Sequence, residues 1–155
     1  VQIAMQEVRN GKNIEKKVNY INTLRRKLMK KLLINFSNHP AVTWASAQRE
    51  GWDEIVDLEF PFISPNESIE NIRNIVDNFV DIIQNQIEIN PGYKVYIHLS
   101  GEYTFCFLMY EKIKELNIPL AISTSERKTT FQIDSKGRTV SKKIFQFSGW
   151  RILAP

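Results

Sequence analysis

A single cysteine, Cys106, and only two histidines, His39 and His98, occur among the 155 residues. One thiol excludes an internal disulfide, and with two imidazoles it falls short of a Cys/His zinc pattern; carboxylates could still bind a metal, but nothing announces one, and neither a metal nor a cofactor is expected. Long apolar runs are missing as well. No stretch approaches the roughly 20 consecutive apolar residues of a membrane span, and the first residues lack the basic-then-apolar layout of a secretory signal. The expected setting is the cytoplasm, with no membrane span. Glycine-rich phosphate signatures are also absent: the chain holds neither a GxGxxG nor a GK[ST] loop.

What is present is core material for one domain, at 43% hydrophobic and 25% charged residues. The net charge of +4 is unevenly spread. Residues 1–31 hold nine Lys/Arg against two Asp/Glu, while the remaining 124 hold twelve against fifteen. The basic character therefore belongs to a leader and not to a groove on the body. Residues 1–28 read as a basic amphipathic helix, with Ile14, Val18, Ile21, Leu24 and Leu28 near helical spacing among Lys16, Lys17, Arg25, Arg26 and Lys27. Such a leader is either a solvated appendage packing one face on the body or a contact for an acidic membrane surface, a partner or, through residues 1–31, RNA. Met29, followed by KKLLINF, has the look of a natural start.

Residues 29–155 read as one further unit. Lys31–Phe36 is an apolar run closed by FSNHP, the pattern of a buried strand and loop. Ala41–Gly51 reads as a short helix or turn, and Glu54–Phe60 as a second strand. Ser64-Pro65-Asn66-Glu67 offers a capping box with proline at the first helical position. Ile69, Ile72, Val76, Phe79, Ile83 and Ile87 then supply a helical stripe, stopped near Asn90-Pro91-Gly92. Tyr93–Ser100 reads as a third strand, Tyr103–Asn117 as a largely buried helix and Pro119–Ser123 as a fourth strand. The last part is a hairpin turning at Asp134-Ser135-Lys136-Gly137. Strands alternating with helices predict an α/β fold: a Rossmann-like three-layer sandwich, mostly parallel, extended by a C-terminal antiparallel hairpin.

In such sheets ligands bind beyond the carboxyl ends of the strands. Three polar clusters fall there. After the first strand come Ser37, Asn38 and His39, the imidazole suiting general acid–base work or a phosphate contact. After the third come Ser100, Gly101 and Glu102, with Thr104 just inside the helix. Gly101 permits close backbone approach or positive φ, and the helix N-terminus offers free N–H groups to an anion. Glu102 is either a base, a partner for a hydroxyl or for Arg127, or simply the helix cap. After the fourth strand Thr124, Ser125, Arg127 and Lys128 read as a hydroxyl-rich loop with cations able to neutralise phosphate. His98, inside a strand, reads as a packed core residue. Tyr103, Phe105, Phe107 and Tyr110 read as core, with Cys106 a small buried hydrophobe among them.

LLINFSNHP, IVDLEFPFISP, IHLSGEYTFCFLMYEKIKELNIPLAISTSERK and KKIFQFSGWR, taken together, resemble a group of small CRISPR-associated proteins, and the layout is similar to CRISPR-associated Rossmann-fold (CARF) domains over Met29 to about Arg151. The resemblance implies a nucleotide ligand, a cyclic oligoadenylate held at the interface of a homodimer, in antiviral defence. It further implies that some members cleave the ring as metal-independent phosphodiesterases, with the ribose 2′-hydroxyl as nucleophile. Carried onto this chain, Ser37, Asn38 and His39 correspond to the first ligand loop and Ser100, Gly101 and Glu102 to the second. The second loop departs from the family's glycine pair followed by Thr or Ser. Arg127 and Lys128 come from strand geometry, not from the resemblance. Two other readings stay open: a small-molecule enzyme using His39 or Glu102 as acid/base, and an RNA-binding or interaction protein acting through the leader.

Overall fold

Strand β1 (Lys30–Ser37) is apolar on both sides because the sheet is covered on both sides. In the computed structural model, which describes residues 14–20 and 29–154, Leu32, Ile34 and Phe36 point into one core cluster while Leu33 points into a second. On the described part of the leader, residues 14–20 form a helix, α1, with Ile14, Val18 and Tyr20 exposed. The remainder of the expected stripe, Ile21, Leu24 and Leu28, lies outside the described residues, as do Arg25, Arg26 and Lys27.

After β1 the chain makes a 3-10 turn (Ala41–Thr43) and the short helix α2 (Ser46–Arg49), then returns as β2 (Glu54–Glu59). Helix α3 (Ile69–Glu88) leads to β3 (Tyr93–Ser100), and helix α4 (Tyr103–Glu115) leads to β4 (Leu120–Ile133), which turns into β5 (Thr139–Leu153). The five strands lie in the order β2-β1-β3-β4-β5, the first four parallel and β5 antiparallel to β4. This is the Rossmann-like α/β sandwich expected. α3 and α4 cover one face; on the other lies a thinner layer of the 3-10 turn, α2 and the indoles of Trp44, Trp52 and Trp150. Among the described residues no helix is long and apolar enough to cross a membrane.

Three local outcomes differ from the sequence reading. Helix α3 starts at Ile69 and is capped by Ser68, whose Oγ accepts from Asn71 N at 3.2 Å. Ser64 and Glu67 form a turn ahead of it (Glu67 N to Ser64 O, 3.0 Å), and Glu67 Oε1 accepts from Asn71 Nδ2 at 2.8 Å. The nearer serine thus wins the cap, because it sits directly before the apolar stripe. The second difference lies in α4, which is buried only along Phe105, Met109 and Ile113; Tyr103 and Phe107, two residues to either side of Phe105, are exposed. Side chains that far apart on a helix face opposite sides. The third concerns Ser123–Lys128, which is not a loop: β4 runs through it, its backbone paired with β5 from Leu120↔Leu153 to Ile133↔Thr139.

Other signals act as read. The hairpin turns where expected, with Gly137 at φ 74° and Asp134 Oδ1 accepting from Lys136 N and Arg138 N. Asn117, at φ 59°, ends α4 in a Schellman arrangement: Ile118 N donates to Ile113 O and Asn117 N to Lys114 O.

Candidate functional site

Strand order places the candidate site. β2 lies to one side of β1 and β3 to the other, so successive connections leave the sheet in opposite directions at the β1/β3 boundary and part their loops there. Ser37 of β1 is in register with Ser100 of β3 at that boundary.

A network of buried polar groups fixes the loop that follows β1. Asn35 is fully buried, and its Nδ2 donates to Asp57 Oδ1 at 2.7 Å and to the carbonyl oxygen of His39 at 2.9 Å. The same carbonyl accepts from Trp44 Nε1 at 3.0 Å. Ser37 Oγ donates to Asn35 Oδ1 at 2.8 Å and accepts from His39 N at 3.2 Å, while both Asp57 oxygens accept from Ala41 N. Every bond to His39 in this network goes through its backbone. The imidazole is left on the surface of a rigid loop.

That loop divides two cavities. The larger, of about 590 Å3, lies on the indole side of the sheet and is lined by His39, Trp44, Gln48, His98, Ser100 and the start of the hairpin. Ser123, Thr124 and Ser125 bring hydroxyls from β4, and Phe145 and Phe147 bring rings from β5. No carboxylate lines it among the described residues. The smaller, of about 460 Å3, is lined by Ser37, Asn38, Pro40, Leu58 and Phe60, and carries the carboxylates of Asp57 and Glu59. The expected residues are thus divided. His39, Ser100, Thr124 and Ser125 meet in the first cavity, whereas Ser37 and Asn38 border the second.

Gly101, Glu102 and Thr104 sit at the entry to α4. The ring of Phe60 lies where a Cβ on Gly101 would be, so this glycine serves close approach and not positive φ. Glu102 is the N-cap: Oε2 accepts from Phe105 N at 2.8 Å and Oε1 from Thr104 N at 3.0 Å. Those N–H groups, Phe105's first, hold the carboxyl below its ordinary range. Arg127 and Lys128 are exposed on the hairpin; Arg127 stands cross-strand from Phe145, and Lys128 Nζ is 3.6 Å from Glu126 Oε2. Cys106, half-buried, has its thiol pushed up to about 11 by burial, which suits an inert residue.

His98 was legible only as a core residue. It is buried, with its ring 5.7 Å from Trp44 and 5.1 Å from Trp150, yet it also lines the larger cavity. Its Nδ1 lies 3.0 Å from the Ala121 carbonyl oxygen, an acceptor only, so the proton is on Nδ1 and Nε2 keeps a lone pair. Burial lowers its pKa, partly opposed by the Ala121 carbonyl and helped by His39 nearby. Thr43, Gln48, Gln146, Phe145 and Phe147 were also missed as cavity residues. Thr43 and Gln48 follow the β1 loop closely, whereas Phe145, Gln146 and Phe147 lie far along the chain from the β1 and β3 loops, and period or spacing carries no signal for their convergence. Thr124 Oγ1 donates to Gly149 O at 3.0 Å, where the β4–β5 register shifts.

The class so defined is a Rossmann-like α/β domain, with a cavity of imidazoles, hydroxyls and aromatic rings at the carboxyl edge of its sheet as the candidate site. Residues 31–151 match the Uncharacterized protein MJ1673 family, and the chain belongs to that family. No curated protein and no solved structure matches it.

Proposed function

We propose that the chain is a nucleotide-sensing protein of the CRISPR-associated Rossmann-fold kind, taking a cyclic oligoadenylate in the larger cavity at an interface between two copies. One observation carries the reading: the β1 and β3 loops, which part at the β1/β3 boundary, both deliver residues, His39 and Ser100, to one cavity of about 590 Å3 that no carboxylate among the described residues lines. That volume falls in the range of about 300–1,000 Å3 usual for ligand sites. The ring of Phe147 suits a nucleobase, and the hydroxyls of Ser100, Ser123 and Ser125 suit ribose and phosphodiester oxygens. The smaller cavity, with Asp57 and Glu59, would repel a phosphodiester. A two-fold ring suits a two-fold pair of chains.

Ring opening on this site would proceed by attack of a ribose O2′ on the adjacent phosphorus, with departure of the 5′-oxygen, leaving a 2′,3′-cyclic phosphate and a 5′-hydroxyl. His39 is the group placed to move the proton. Glu102 serves as the cap of α4 in this reading, and Arg127 and Lys128 steer the anion toward the cavity mouth.

The test is native mass spectrometry of the full chain with linear and cyclic oligoadenylates, following bound species and breakdown with time. Because the loop network uses only the backbone of His39, His39→Ala removes the imidazole and leaves the loop in place. The expected result is one ring per pair of chains, with cleavage slowed about 100-fold or more in His39→Ala and binding retained. No nucleotide bound at high micromolar concentration would overturn the reading.

A further inference from the structure

β4 and β5 run far past the sheet they belong to. β4 touches β3 only around Ile97↔Leu120, whereas its pairing with β5 continues to Ile133↔Thr139. Residues 125–147 therefore form a two-stranded arm, a structure of marginal stability in water by itself. One face of this arm presents three exposed apolar side chains alongside Arg127 and Lys143. Cross-strand partners share a face and alternate residues repeat it, so Phe145 (opposite Arg127), Phe131 and Ile133 stand on the same side. They are 70%, 72% and 76% exposed. The arm holds six Lys/Arg against two Asp/Glu, while the rest of residues 32–155 holds six against thirteen.

A complementary surface exists elsewhere on the chain. On the outer side of α4, Tyr103 and Phe107 are 79% and 68% exposed and stack on each other at 6.4 Å. Glu111, one helical turn on, and Glu115 after it are exposed and flank the stripe, with Lys114 between them, for a net charge of −1 over these three residues. Arm and stripe thus match apolar to apolar, and the cationic arm meets a stripe whose net charge is negative. Two arms face to face would instead set Arg127 and Lys143 of one copy against those of the other. Aromatic side chains of this size bury about 150–250 Å2 each, so two reciprocal contacts would bury about 1,200 Å2, where stable interfaces begin.

We infer that a second copy of this chain is the partner of the arm: Phe131, Ile133 and Phe145 of each copy seat on Tyr103 and Phe107 of the other. The exchange is reciprocal and closed, as a two-fold pair requires. It deepens the proposed function by naming the surfaces of the pair. Ser125 and Phe145–Phe147, at the base of the arm, line the larger cavity, so seating the arm also fixes one wall of that cavity.

Sedimentation of the full, nucleotide-free chain at micromolar concentration tests the inference separately from any ligand. Wild type is expected to be a dimer. Phe131→Ser/Phe145→Ser and Tyr103→Ser/Phe107→Ser, each checked for native circular dichroism, are each expected to weaken self-association about 100-fold or more. Mixing the two variants is expected to recover a heterodimer, since one intact arm then meets one intact seat. Lys143→Glu, which lies on the seating face and spares the apolar side chains, is expected to weaken the pair in low salt. A monomeric wild type, a folded variant that still dimerises fully, or a mixture that forms no heterodimer would each overturn the inference. A wild-type mass that rises only when RNA is added would overturn it in favour of nucleic acid as the occupant of the arm. A nucleotide-free dimer that binds no oligoadenylate would sink the ligand reading and leave the pairing intact.

Discussion

The ring of Phe60 closes over the backbone of Gly101 so closely that a methyl group at that position would clash with its Cζ and both Cε atoms. Phe60 is itself held by Phe36 and Phe105, at ring-centroid distances of 5.5 and 5.1 Å, so it has little freedom to withdraw. Gly101→Ala is therefore expected to destabilise the fold by about 1–3 kcal/mol, the usual cost of overpacking. Phe60→Leu alone costs packing; combined with Gly101→Ala it is expected to cost less than the sum of the two. Urea unfolding of the four proteins measures this coupling, and strict additivity would show that the glycine is there for another reason.

His98 gives a signed pH dependence. Burial, its largest influence, lowers the pKa of the folded state below the unfolded value, so the unfolded chain takes up a proton first as pH falls. The sign follows: stability from this residue is full above about pH 6.5, the ordinary histidine value, and declines on acidification until the folded pKa is reached. Unfolding free energy measured from pH 8 to pH 5 should fall through that window, and His98→Phe should flatten the fall. An unchanged slope in His98→Phe would place the titration elsewhere.

Trp52 and Trp150 separate packing from hydrogen bonding. Their rings meet at 5.7 Å, but Trp150 Nε1 donates to Gln48 O at 3.0 Å whereas Trp52 Nε1 is buried and meets no acceptor among the described residues. Trp150→Phe removes a bond and leaves a carbonyl to be resolvated; Trp52→Phe removes none and relieves an unsatisfied donor. Beyond the shared loss of ring volume, Trp150→Phe is expected to cost about 1–2 kcal/mol more than Trp52→Phe. Thermal or urea unfolding of both variants decides it, and equal losses would mean that volume alone matters.

Much of the fold was legible in local pattern. Alternate residues of β1 feed two cores, the stripe of α3 names its buried face, and the hairpin turns where Asp134 and Gly137 stand. These features depend on neighbours within a few residues, and sequence spacing encodes such neighbours directly. The reading of Glu102 as a helix cap was one of several open from the sequence, and the structure shows the cap being made.

Tertiary structure decided the rest, because the deciding contacts join residues far apart in the chain. Ser123–Lys128 looked like a loop until β5, arriving some 20 residues later, supplied its backbone partners. Tyr103 and Phe107 looked like core until α4 turned them outward and committed Phe105 to the buried side. His98 became part of a cavity wall only because Trp44 and Trp150 close on it from opposite ends of the domain. The sequence by itself thus determined most of the strands and helices and the hairpin turn; the division of polar residues between a cavity lined by no carboxylate among the described residues and an acidic one was determined by strand order, which no local spacing encodes.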